Sequence, residues 1–292
     1  MPLTEIQREI LRLLAENRNP DSYVAGGIVL NQTRETPRFS RDIDVFHDVE
    51  ALVAASATAD ATALKVAGFE VEWVIQEPAY FRADVSKEGH SVKMEWVRDS
   101  AFRFFPTEPD PELGFRLNVW DAAVNKVLTL ISRTEIRDYM DILHLHRTKI
   151  SLGALCWAAA GKDPGWTPDL ILNEAVRTAR YTEADLKRLP LAWPVTLPEL
   201  KQKWLAAVAS ARDLLQKLPP KEIGCLYLDP KGQPFTPDPA APDFPRVHRH
   251  YGCLKGAWPS FLAPERSPAM DLIRRPPPTG RKGRGQGPEI ER

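Results

Sequence analysis

The chain has 292 residues, 43% of them hydrophobic and 27% charged. That is enough to bury a full core in one large or two modest domains, and it excludes a disordered or fibrous chain. Lysine plus arginine equals aspartate plus glutamate at 39 each, but residues 272–292 hold six basic and two acidic side chains, so the preceding body carries 33 basic against 37 acidic groups. A basic nucleic-acid clamp is excluded by that balance, and any polyanion site must be a local patch. Apolar runs such as residues 24–30 and 152–160 fall short of the roughly 20 residues that a bilayer crossing needs. The first 25 residues lack a signal-peptide layout, so a soluble, cytoplasmic protein with no membrane partner is expected. Cys156, Cys225 and Cys253 have no CxxC spacing, which argues against a disulfide framework or a zinc ribbon.

In chain order, Thr4 caps a first helix in which Ile6, Ile10, Leu11, Leu13 and Leu14 recur at helical spacing, ending near Asn17. Tyr23-Val24-Ala25 is a short strand entering the pair Gly26-Gly27, with a short helix from Ile28 and a polar stretch containing Arg34, Pro37 and Arg38. Ile43, Val45 and Phe46 around Asp42 and Asp44 form a second strand. An alanine-rich helix over 49–67 follows, stopped by Gly68. Three strands are expected over 69–76, 80–86 and 91–97, with Lys87-Glu88-Gly89 as the turn between the last two. Alternation in the third puts Val92, Met94 and Trp96 on one face and Lys93 and Glu95 on the other.

From Val119 the period becomes helical: one helix to about Ser132, a second from a Thr134 cap to about Arg147, and more over 151–217 with Thr182 and Thr196 as caps. After Pro219-Pro220 the composition turns to Pro, Gly and aromatics, with a strand at 226–228 entering the turn Asp229-Pro230-Lys231-Gly232. The Pro- and Arg-rich end, 276–292, is expected to be disordered.

The sharpest constellation is Gly26-Gly27 followed after fourteen residues by Asp42-Ile43-Asp44. On a strand, residues i and i+2 point to one side about 6.6 Å apart, so both carboxylates can converge on hard divalent cations. The glycine pair lets the backbone approach a triphosphate, and a helix starting behind it aims N–H groups at the same anion. A second block comprises Asp121, Lys126, Arg133 and Arg137-Asp138-Tyr139-Met140-Asp141-Ile142. Arg137, Asp138 and Asp141 can lie along one helix edge while Ile136, Tyr139, Met140 and Leu143 face inward; the bland alternative is an exposed Arg–Asp pair worth a few tenths of a kcal/mol. His144 and His146 lie at non-facing helix positions, and neither they nor His248 and His250 have nearby cysteine partners, which argues against a metal site. Trp193, Trp204 and Trp258 fit core or interface better than base stacking.

Together these blocks resemble the polymerase-beta-like minimal nucleotidyltransferase superfamily, and within it the AbiEii/AbiGii-type nucleotidyltransferase toxins, over roughly residues 20–147. The resemblance implies an α+β (α/β) fold: a nucleotidyltransferase domain with a short mixed sheet over 1–118 and a helical domain over 119–218 completing the cleft. A Pro-rich segment over 219–275 and the basic tail 276–292 follow. It implies that Asp42 and Asp44 hold Mg²⁺ or Mn²⁺, that Gly26 and Gly27 cradle phosphates, and that Lys126 holds a triphosphate oxygen. Asp138 or Asp141 would then orient that lysine or the acceptor, with the choice open. Glu95 is the candidate third carboxylate and general base, with Asp84 the competitor. Ser40 and Arg41 either touch phosphate or cap the strand.

The implied activity is transfer of a nucleoside monophosphate from an NTP to a hydroxyl of RNA, such as a tRNA 3′ end, or of protein, by a bacterial toxin with a cognate antitoxin. Transfer of the γ-phosphate and a non-catalytic nucleotide- or partner-binding module remain as alternatives.

Overall fold

The computed structural model describes residues 3–31, 36, 38–40 and 42–262. Arg34, Pro37, Arg41 and the basic tail therefore lie outside the described residues. Helix α1 (Glu5–Leu14) opens with Thr4 and Gln7 bonded reciprocally as a capping box and turns into a short 3₁₀ segment over Ala15–Asn17. Strand β1 (Ser22–Ala25) runs into α2 (Gly26–Leu30), which begins at Gly26 and not at Ile28. Next come β2 (Asp42–His47), α3 (Glu50–Val66), β3 (Glu70–Glu77), β4 (Tyr80–Lys87) and β5 (His90–Arg98). Glu88 and Gly89 both take positive φ at the tight β4–β5 turn, a conformation cheap for glycine.

Three short strands that the sequence pattern did not announce follow: β6 (Phe102–Arg103), β7 (Glu108–Asp110) and β8 (Gly114–Arg116). Among the described residues the main sheet is mixed and seven-stranded, in the order β3-β4-β5-β2-β1-β8-β7. The β2–β5 and β1–β8 pairs are parallel, and the other neighbours are antiparallel.

One face of this sheet is buried on α3. Val53, Ala57 and Leu64 of that helix are fully buried, as are Ile43, Met94 and Trp96 of the sheet. An ion pair sits inside that layer: both carboxylate oxygens of Asp60 accept from Arg18 at 2.6 Å, Asn17 donates to Oδ1 at 2.8 Å and the Trp96 indole donates to Oδ2 at 2.7 Å.

Six α-helices follow: α4 (Val119–Ser132), α5 (Ile136–Thr148), α6 (Leu152–Ala159), α7 (Pro168–Thr178), α8 (Glu183–Lys187) and α9 (Leu197–Lys217). Every residue of α6 is buried, as expected for a helix apolar all round, and it is wrapped by α4, α7 and α9. Helix α5 starts from Glu135 as its N-cap residue, so Thr134 is not the cap. Trp204 is buried against Tyr139, while Trp193 is 38% exposed.

The last strands, β9 (Cys225–Leu228), β10 (His248–Tyr251) and β11 (Cys253–Leu254), form a hairpin-like strap. β10 pairs with β9, and β11 pairs with β6. His250 Nε2 lies 2.8 Å from the Phe104 carbonyl, and the His250 and Trp258 rings pack on Phe105. The segment thus fastens the connection between β5 and α4.

Removing Asp60 would leave the Arg18 guanidinium buried without its counter-ion, so Asp60→Ala is expected to lower unfolding free energy by about 3–5 kcal/mol in urea denaturation.

Candidate active site

The register of β2 against its neighbours builds the site. Ala25 of β1 lies opposite Asp44, and on the parallel partner β5 Lys93 lies opposite Asp42 and Glu95 opposite Asp44. With a side-chain period of two, Asp42, Asp44, Lys93 and Glu95 share the face away from α3, while Ile43, Val45, Met94 and Trp96 fill the core. Gly26 has φ of +66°, and a Cβ there would fall 1.9 Å from Asp44 Oδ2. Only glycine allows that carboxylate to sit against the start of α2. At Gly27 a Cβ would meet Ser40 Oγ at 2.8 Å, so the glycine pair and Ser40 form one wall.

The electrostatics of the three carboxylates differ. Asp42 Oδ2 accepts from Arg137 at 2.7 Å and lies 3.1 Å from Lys93 Nζ. Burial by itself raises its pKa, but Lys93 and Arg137 outweigh burial and hold it below the usual value. Asp44 is pushed up to about 7, first by burial and then by the charges of Glu95 and Asp42, against the opposing pull of Lys126 and Lys93. Glu95 Oε1 accepts from the Tyr80 hydroxyl at 2.7 Å and lies 3.1 Å from Lys93 Nζ. Burial opposes its ionisation, yet Tyr80, Lys93 and a bond from Asp44 hold it below the ordinary glutamate value. Burial and the neighbouring negative charges thus favour the neutral form of Asp44, while Tyr80 and Lys93 favour the charged form of Glu95.

The second block is buried, which overturns the exposed-pair alternative. Asp138 has no exposed surface and Asp141 has 3%. Lys126 Nζ of α4 lies 2.8 Å from Asp138 Oδ1 and 3.2 Å from Asp141 Oδ2. Arg133 donates to Asp138 at 2.8 Å, and Arg38 grips Asp141 through two bonds of 2.8 and 2.5 Å. Burial raises the Asp138 pKa, but Lys126 and Arg133 together hold it below its usual range. Arg137 does not pair along its own helix edge with Asp141; it crosses to Asp42. Asp121 accepts from the Phe104 and Phe105 amides at 2.9 Å and pairs with Lys162 at 2.7 Å, a bond set that pins the β6 region to α4.

A cleft of about 670 Å³ joins the two blocks, lined by Gly26, Gly27, Arg38, Ser40, Asp42, Asp44, Tyr80, Glu95, Lys126, Arg133 and Arg137 among others. Of the two candidates for a third carboxylate, Glu95 lines it; Asp84, on β4 opposite Lys93, is not among its lining residues. Arg41 lies outside the described residues. Asp138 and Asp141 sit behind Lys126 and do not line the cleft themselves.

Among the described residues, no three carboxylate, imidazole or thiolate groups form a ready-made metal cage. His146 Nδ1 accepts from the Leu152 amide and His250 is held at Phe104, so neither histidine pair is arranged as a ligand set. Sequence reasoning missed Tyr80, Lys93 and Arg38 as partners of the carboxylates. Only Lys93 carried a legible signal, since it shares a strand face with Glu95.

The raised Asp44 pKa has a consequence for stability. The folded state holds that proton up to about pH 7 while the unfolded state releases it near about pH 4, so this contribution is fully present in acid and lost as pH rises through the folded value. In metal-free buffer Asp44→Asn is expected to gain Tm relative to the native chain between about pH 5 and about pH 8; a constant Tm difference in paired melts would contradict the raised Asp44 pKa.

A family model described as the nucleotidyl transferase AbiEii toxin, type IV toxin–antitoxin system, matches residues 12–218. The solved structure of MenT4, a nucleotidyltransferase toxin from Mycobacterium tuberculosis H37Rv, is similar with a TM-score of 0.53 and 18% identity, over 74% of this chain and 83% of that one. JHP933 from Helicobacter pylori matches 74% of this chain and 96% of its own at 16% identity, with a TM-score of 0.45. No curated protein matches. The MenT4 likeness is one of fold, whereas the family model spans well over half of the sequence. The chain accordingly belongs to the AbiEii family of nucleotidyltransferase toxins and is a nucleotidyltransferase.

Proposed function

We propose that the chain transfers a nucleoside monophosphate from an NTP to a hydroxyl group, using Mg²⁺ or Mn²⁺ held by Asp42 and Asp44. The observation that carries this reading is the placement of Asp42, Asp44 and Glu95 on one strand face, in the cleft that also holds Lys126. The donor set fits a divalent ion: two hard carboxylates at i and i+2, with a third on the neighbouring strand, and burial together with the charges of Glu95 and Asp42 disfavours a bare Asp44 carboxylate. Such an ion, when bound, supplies positive charge for the phosphate oxygens around the reacting phosphorus.

The residues of the chain do the rest. Gly26, Gly27 and Ser40 form the wall against which the phosphates pack. Lys126, held by Asp138 and Asp141, presents its ammonium to a triphosphate oxygen and stabilises charge that develops in transfer. Both aspartates act through the lysine, with Arg133 and Arg38 holding them in turn. Glu95, oriented by Tyr80, takes the proton of the attacking hydroxyl. The new bond joins the acceptor oxygen to the α-phosphorus, the bond from that phosphorus to the bridging oxygen breaks, and pyrophosphate leaves.

The strands up to residue 116 act as the catalytic unit and the helices from 119 to 218 close the cleft, with 219–262 bracing the connection. Family membership supports a cytoplasmic toxin with a cognate antitoxin. The acceptor we propose is an RNA 3′ end, that of tRNA in particular, ahead of a protein hydroxyl.

The test is incubation of the purified chain with total RNA or lysate, Mg²⁺ and each α-labelled NTP in turn. Label in a defined band is expected from one nucleotide, falling to background in the double variant Asp42→Ala/Asp44→Ala with its circular dichroism unchanged. Label from γ- and not α-labelled NTP would overturn nucleotidyl transfer in favour of phosphoryl transfer.

A further inference from the structure

Lys93 stands between two of the site's carboxylates. Its Nζ is 3.1 Å from Asp42 Oδ2 and 3.1 Å from Glu95 Oε1. The position is fixed by the backbone and not by a long side chain's chance: Lys93 faces Asp42 across the parallel β2–β5 pair, and Glu95 is two residues further along the same strand. At 22% side-chain exposure it lies along the sheet face against these carboxylates instead of extending into solvent.

An ammonium equidistant from two carboxylates fills the place of a divalent ion bridging them. An N–H···O contact needs about 2.8–3.1 Å and a Mg²⁺–oxygen bond about 2.1 Å, so lysine and ion cannot share the gap between Asp42 and Glu95. Asp42 carries a second cation, Arg137, on the same oxygen. Among the described residues Asp44 alone of the three carboxylates has no ion pair within 4.0 Å, and its carboxylate packs directly against Gly26 at the start of α2. The positive charge of the site is thus already built in on the Asp42–Glu95 side and lacking at Asp44.

We propose that Lys93 substitutes for one of two divalent ions, so that this chain binds a single ion, at Asp44 and Asp42, while the Lys93 ammonium stays between Asp42 and Glu95. The proposal rests on the nucleotidyl-transfer reading for its chemical meaning. A fixed single charge replaces a mobile double one, and the Glu95 carboxylate stays free of metal and available to a hydroxyl proton. Lys93 is in these terms a positioning residue, since it acts through Glu95 and Asp42.

The test counts ions and needs no turnover. Mn²⁺ is titrated, without nucleotide, into the full-length chain and into Lys93→Gln and Lys93→Arg, and free ion is followed by the resonance signal of aqueous Mn²⁺, with Asp42→Ala/Asp44→Ala as background. One ion is expected for the native chain and for Lys93→Arg, and two for Lys93→Gln, with the first bound at least about tenfold more tightly because the competing charge is gone. Lys93→Met serves as the neutral variant if Lys93→Gln does not melt like the native chain. Two ions on the native chain, or one on the neutral variant, would overturn the proposal. Because no NTP is present, absence of label transfer from every nucleotide would overturn the functional reading while leaving the ion count to decide this one.

Discussion

Three carboxylates confined to one face of two neighbouring strands repel one another, and the rest of the cleft is arranged to tolerate that repulsion. The parallel β2–β5 ladder permits no slippage, because a shift of one residue would send Asp42 and Asp44 into the core and Ile43 into water. Cations then approach from three directions. Lys93 comes from the same sheet, Arg137 from α5 and Lys126 from α4. Helix α5 serves both blocks: Arg137 reaches forward to β2, while Asp138 and Asp141 turn back to Lys126. Sheet and helices are therefore positioned against each other by charge as well as by apolar packing.

The opposite face of the same strands is held by another ion pair. Along β5, Glu95 looks into the cleft and the next residue, Trp96, bonds Asp60 beneath the sheet. Buried ion pairs of this kind contribute little net stability compared with apolar packing, but breaking one is costly, and they restrict how the elements can be stacked. Arg18 with Asp60 below and Arg38 with Asp141 above fix the sheet between two layers and leave the carboxylate face open only toward the cleft.

Much of this was legible in the sequence because its signals were local. The Gly-Gly run, the Asp-x-Asp strand, the 87–89 turn and the helices from Val119 each depend on residues a few positions apart, as did the alternation that put Glu95 opposite the core side of β5. What was not legible depends on distant partners. Arg137 was expected beside Asp141, four residues away, yet its partner is 95 residues away. Asp138 and Asp141 left an exposed Arg–Asp pair as an alternative reading, and only the arrival of Lys126, Arg133 and Arg38 explains their burial. The strands β6, β7 and β8 are two or three residues long, too short for a period to register, and β8 is defined by its distant partner β1 and by its pairing with β7.

The strap formed by β10 and β11 belongs to a region beyond the family match, which stops at residue 218, yet it is bonded to the stretch from Ala101 to Phe105. Contacts between residues some 150 positions apart can form only after the later residues have left the ribosome. The connection between β5 and α4 is thus completed last among the described segments, and the nascent chain carries every cleft residue well before the joint that braces the cleft is closed. For a toxin, this order of synthesis delays the fully braced enzyme until translation has passed residue 258.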